Sequence, residues 1–112
     1  MIPNDIAGSL GLARRAGKLS IGHDAAEEAI LSKKAALCLL ASDASERLKA
    51  EMARTAQHAG AETTVWNTAY TKVELAKSIG TKAIAVCTID DAGFAQAIKN
   101  KSEGMEDHDE KI

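Results

Sequence analysis

Two short stretches, Ala36 to Leu40 and Ala83 to Ile89, are apolar at almost every position, and each is too short for a helix that buries one face. A strand with one wet side alternates apolar and polar residues; a strand covered on both sides reads as a continuous apolar run. The two runs therefore call for a sheet with helices packed on both faces. The segments between them supply those helices. Ile6, Leu10, Ala13 and Gly17 recur at helical spacing after Asn4 or Asp5 as a cap. Lys18 to Ile21 is a short extended piece, and Asp24-Ala25-Ala26-Glu27 has the spacing of a capping box for a second helix to about Lys33. Ser42 or Asp43 is placed to cap a third helix to about Ala59, closed by Gly60. Glu62 to Trp66, with Thr63, Thr64 and Val65, is β-type. Thr71-Lys72-Val73-Glu74 repeats the capping box and opens a helix ending at Gly80; Asp90 or Asp91 caps a last helix to about Asn100. The expected architecture is a three-layer α/β/α sandwich with a mainly four-stranded mixed sheet, one domain over residues 1–101.

Charge is informative only when divided. Fourteen Lys and Arg against sixteen Asp and Glu give −2, but residues 102–112 hold five acids and one lysine, or −4, which leaves the body at +2. The last eleven residues have too little apolar content to bury and are expected to form a mobile acidic tail. The run from Ala35 to Ala41 is far short of the roughly 20 apolar residues of a membrane span, and the first residues show no basic segment followed by an apolar one. A soluble, cytoplasmic chain is expected, without membrane contact. Cys38 and Cys87 lie inside the apolar runs with no other Cys or His within four residues, so they read as reduced core thiols, and neither a metal site nor a cofactor is expected.

The segment from Gly8 to Gly22 carries Gly17-Lys18 but is not a phosphate-binding P-loop, because Leu12 stands where the first glycine belongs and Leu19 where Ser or Thr belongs. What remains is a basic group, Arg14, Arg15 and Lys18, with no acid between Ile6 and His23. Favourable charge at a helix C-terminus accounts for such a group at about 0.3 to 1 kcal/mol per charge; an anionic ligand is the alternative. Gly22 stands at the mouth of the second helix, where a backbone without Cβ admits close approach, while Asp24, Glu27 and Glu28 complement the helix dipole and repel phosphate. Asp90 and Asp91 read as a cap and its neighbour rather than as paired catalytic carboxylates, and His23, His58 and His108 stand in no nucleophile-like context. Trp66, Tyr70 and Phe94 are the only aromatics, too few for a base-stacking platform.

Taken in order, Leu10-Gly11-Leu12-Ala13-Arg14-Arg15-Ala16-Gly17-Lys18-Leu19, Gly22, Ala36 to Ser45, Thr71 to Gly80 and Ala85 to Ala95 resemble the ribosomal L-seven-Ae, L-thirty-e, S-twelve-e and Gadd superfamily, most nearly its small bacterial YlxQ-like branch. The resemblance spans about residues 6 to 100. It implies the α/β/α sandwich and, for many members, binding of kink-turn RNA, a sharply bent internal loop with sheared G·A pairs. Members contact those guanines with a helix-start motif, G-x-N-E-x-x-K. Here Gly22 keeps the glycine, Asp24 stands at the Asn position, Ala25 at the Glu position and Glu28 at the Lys position; Lys18 is the basic residue upstream. Thr71 and Lys72 fall where a second RNA-contacting loop meets its helix, and Ala76 replaces a glycine common there.

The resemblance thus implies a non-enzymatic RNA-binding protein, ribosomal-protein-like, with structured RNA, ribosomal RNA included, as partner. Arg14, Arg15, Lys18 and Lys72 are the candidate backbone contacts, Gly22 the position of close approach, Asp24 the reader of a base amino group, and Thr71 a further RNA-binding candidate beside Lys72. A protein-interaction module on the same fold is the alternative. The chain is expected to be a monomer.

Overall fold

The computed structural model describes residues 4–60 and 62–101. The acidic tail expected over 102–112 lies outside the described residues, and so do the side chains of the first-helix caps. Among the described residues, helices and strands alternate in the order α1 (Asn4–Arg15), β1 (Leu19–Ile21), α2 (His23–Leu31), β2 (Leu37–Leu40), α3 (Glu46–His58), β3 (Thr64–Asn67), α4 (Lys72–Ile79), β4 (Val86–Ile89) and α5 (Ala92–Lys101).

The strands form one mixed sheet in the order β1-β4-β2-β3. β4 is antiparallel to both its neighbours, with Leu19 opposite Ile89 and Leu40 opposite Val86. β2 and β3 run parallel, Leu37 beside Thr64 and Leu40 beside Asn67. The central runs are buried at every position, as their composition demands. Alternate residues serve opposite layers. Leu37, Leu39, Cys87 and Ile89 pack with Ile6, Leu10, Leu75, Ala76, Ile79 and Ile98 of α1, α4 and α5. Cys38, Leu40, Val65 and Val86 pack with Ala26, Ala29, Ile30, Met52 and Ala56 of α2 and α3. Each fully buried Leu or Ile contributes about 1.5 to 3 kcal/mol, which is why both faces must be covered. Burial pushes the Cys87 thiol up to about 12, aided by the Asp90 charge, so it stays protonated.

Helix starts follow the sequence at α4 and α5 and depart from it at α2 and α3. Thr71 caps α4 with the reciprocal box: its Oγ1 accepts from Glu74 N–H at 3.1 Å, and its own N–H donates to Glu74 Oε1 at 2.9 Å. The Asp24–Glu27 box does not form. α2 starts two residues earlier, with Gly22 as its N-cap and no side-chain cap, because Gly22 adopts φ 95°, ψ 167° and turns the chain out of β1 directly into the helix. α3 is capped by Ser45, whose side chain accepts from Leu48 N–H, rather than by Ser42 or Asp43. Asp43 is used elsewhere: its Oδ1 accepts from the N–H of Lys72 at 2.8 Å and fills the first turn of α4 from across the fold. At α5, Asp91 takes the capping role and accepts from Phe94 N–H at 2.9 Å.

Candidate nucleic-acid interface

Strand directions decide which of the sequence candidates can act together. Ile21 pairs with Cys87, Leu40 with Val86, and Leu40 with Asn67, so the ends of β1, β2 and β3 and the start of β4 share one end of the sheet. The starts of α2, α3 and α4 therefore open at that end. Gly22 N–H donates to Val86 O at 3.0 Å, and Ile84 N–H donates to Lys72 O at 3.1 Å, so the Ile84–Val86 link joins the mouth of α2 to the first residue of α4. Asp43 closes the group through Lys72 N–H, and Ser42 N–H donates to Tyr70 O. Gly22, Asp24, Thr71 and Lys72 are thus brought to one edge by short backbone links.

The conformation of Gly22 lies in a region that only glycine occupies readily, and a Cβ there would meet nothing within 4 Å. Space in front of this backbone is open. The first N–H groups of α2 have no side-chain cap, and the Asp24 side chain is fully exposed. Thr71 and Lys72 are half-buried, with the Thr71 hydroxyl oxygen engaged in its cap.

His23 gives the mouth a feature that the sequence reading passed over. Its Nδ1 lies 2.9 Å from Asp24 Oδ1 and its Nε2 3.3 Å from Glu51 Oε1 of α3. Only an imidazolium has a donor on both nitrogens, and the hydrogen bond with Asp24, with the charges of Glu51 and Glu27, raises the His23 pKa against the opposing effect of burial. Ligand-type atoms of His23, Asp24 and Glu27 lie within 4.8 Å of one another. Asp24, Glu27 and Glu51 make this corner acidic, with His23 as their counter-charge. The signal was the spacing from His23 to Glu27; the contribution of Glu51 comes from the packing of α3 and has no local sequence mark.

Arg14, Arg15 and Lys18 do not join this group. β1 runs from Lys18 towards Gly22, so the two residues stand at opposite ends of the sheet, about 13 Å apart for four residues of extended chain. Asp90 N–H donates to Lys18 O at that opposite end. Arg14 is committed to structure: its guanidinium donates from Nη1 to Ile79 O, satisfying a C-terminal carbonyl of α4. Arg15 and Lys18 are exposed. The paired acids are also occupied, Asp90 accepting from the hydroxyls of Ser20 and Thr88 and Asp91 capping α5.

The chain matches the model of the ribosomal protein L7Ae/L30e/S12e/Gadd45 family over residues 4–99, and it belongs to that family. Its fold is similar to that of a Bacillus halodurans protein of unknown function, at 24% identity and TM-score 0.75, covering 88% of this chain and 96% of the other. It is also similar to a Giardia lamblia 15.5kD RNA binding protein, at 12% identity and TM-score 0.63, covering 86% of this chain and 80% of that one. No curated protein sequence matches the chain. No described helix is long and apolar enough to cross a membrane.

Proposed function

We propose that this protein is a non-enzymatic, ribosomal-protein-like RNA-binding protein that holds a structured RNA of the kink-turn kind at the joined mouths of α2 and α4. Membership of the ribosomal protein family supports the RNA partner, and the Giardia neighbour, an RNA binding protein, has the same fold. The observation that carries the site is the link from Gly22 through Val86 and Ile84 to Lys72, which places an open, uncapped helix start beside a cation. Gly22 admits the RNA backbone, Lys72 meets a phosphate, and the exposed Asp24 carboxylate accepts from base amino groups. Thr71 positions Lys72 through its cap. The protein acts as a monomer in the cytoplasm, and ribosomal RNA is among its candidate ligands.

The acidic corner favours a second reading: Asp24, Glu27 and Glu51 suit a basic protein surface, and the fold then serves as a protein-interaction module. Titration with a kink-turn RNA and a composition-matched duplex, at two salt concentrations, separates the two. Preference for the kink-turn, lost in Asp24→Ala and weakened in Lys72→Ala, is expected. Equal weak binding to both RNAs, unchanged in these variants, removes the RNA reading; protein partners that survive nuclease then favour the module.

A further inference from the structure

At the end of the sheet away from Gly22, two chain exits come together. Lys18 directly precedes β1 and Ala36 directly precedes β2, and both flank the end of β4: Asp90 N–H donates to Lys18 O, and Ala36 N–H donates to Ile89 O. Across one intervening strand their separation is about 10 Å. The turn leading to Ala36 contains Lys33 and Lys34, so Arg15, Lys18, Lys33 and Lys34 converge, all exposed and without an ion pair among the described residues. Among the described residues, the acids nearest these strand ends are Asp90, Asp91 and Glu62. The first two are held by internal hydrogen bonds, and Glu62 precedes the buried Thr63 at the β3 edge.

Each cation taken singly suits a helix C-terminus. Lys33 does not fit that explanation. Helices leave through a left-handed residue at Gly17 (φ 74°), Gly60 (φ 62°) and Gly80 (φ 88°), but at α2 the same conformation, φ 64°, is taken by Lys33. It is the only non-glycine residue with positive φ among those described. Glycine there costs no Cβ strain and would serve stability better, so Lys33 stands where the fold prefers glycine. A second lysine follows it directly.

We propose that this basic end is a second RNA-contact surface, in which Arg15, Lys18, Lys33 and Lys34 hold the phosphate backbone of the stem that leads away from the RNA element at the Gly22 mouth. The inference rests on the RNA reading above and adds a separate surface to it. The contacts are to phosphate alone and carry no base specificity, which places them in the salt-dependent part of the affinity.

The test compares one kink-turn RNA carrying a long stem with the same RNA cut back to a short stem, over a salt series. For the unaltered chain the long stem binds more tightly, and its advantage falls on the order of a hundredfold between 50 and 200 mM salt, the loss expected for four extra phosphate contacts. In Lys33→Gly/Lys34→Ser the advantage shrinks and its salt-dependent loss drops to about tenfold, as for the two remaining cations, while short-stem binding persists. Lys33→Gly alone raises the thermal midpoint, so its loss of long-stem affinity cannot come from unfolding; Arg54→Gln, on the exposed face of α3, leaves the advantage in place. Equal affinity for both stems in the unaltered chain overturns this surface and spares the mouth, as does an advantage left unchanged by the double substitution or reduced equally by Arg54→Gln. Failure of both RNAs to bind overturns both readings.

Discussion

Replacement of Gly22 by alanine isolates the backbone feature on which the mouth depends. At φ 95° and ψ 167° the residue sits in a region essentially reserved for glycine, and forcing a residue with Cβ into it costs about 1 to 3 kcal/mol. Nothing lies within 4 Å of the added methyl, so no packing clash contributes and no contact offsets the strain. A loss of about 2 kcal/mol lowers the thermal midpoint of a domain this size by about 8 to 16 °C and the urea midpoint by about 1 M. Gly80 supplies the control, since it caps α4 in the ordinary left-handed region at φ 88°, ψ 28°, where asparagine is tolerated. Gly80→Asn is therefore expected to cost under about 1 kcal/mol, and Gly22→Asn as much as Gly22→Ala. Urea unfolding followed by circular dichroism measures all three. Gly22→Ala within about 0.5 kcal/mol of the unaltered chain, or Gly22→Asn no worse than Gly80→Asn, would refute the reasoning.

Thr71→Ala removes the acceptor for Glu74 N–H and is expected to cost about 1 kcal/mol by urea unfolding, while Asp43→Ala, which strips the acceptor from Lys72 N–H, costs a similar amount although it lies far away in sequence. His23 is expected to titrate above 6.5 in a proton NMR titration and to fall back towards it in Asp24→Asn. Because its folded pKa is raised, the His23 contribution to stability is present below the unfolded value and is lost as pH rises through the folded one, so His23→Gln narrows the stability difference between mildly acidic and neutral solution. Cys38 and Cys87 are fully buried and the Cys87 thiol is held protonated, so alkylation at pH 8 should be negligible in the native state and complete in denaturant.

Features decided by near neighbours were legible in the sequence. Leu37–Leu40 and Val86–Ile89 showed their two-sided burial because nothing in them is polar except Thr88. The Thr71–Glu74 box was legible because donor and acceptor sit within one turn. Asp24 and Glu27 have the same spacing, yet the cap falls on Gly22, whose positive φ starts the helix earlier. Ser42 and Asp43 were the expected caps of α3, yet the cap falls on Ser45, and Asp43 is recruited instead by the N–H of Lys72 from a distant part of the chain. The site suffered the same limit. Arg14 and Lys18 are close to Gly22 in sequence, but a three-residue strand carries the chain to the other end of the sheet. Lys33 and Lys34 are far from Lys18 in sequence and become its neighbours only through the pairing of β4 with both β1 and β2.

The most direct measurement is an amide NMR titration of the labelled protein with the short-stem kink-turn RNA. Shifts centred on Gly22 to Ala25 and on Thr71 to Lys72, together and with one affinity, are the expected result. Unmoved amides at both helix mouths, with the RNA bound elsewhere or not at all, would contradict it.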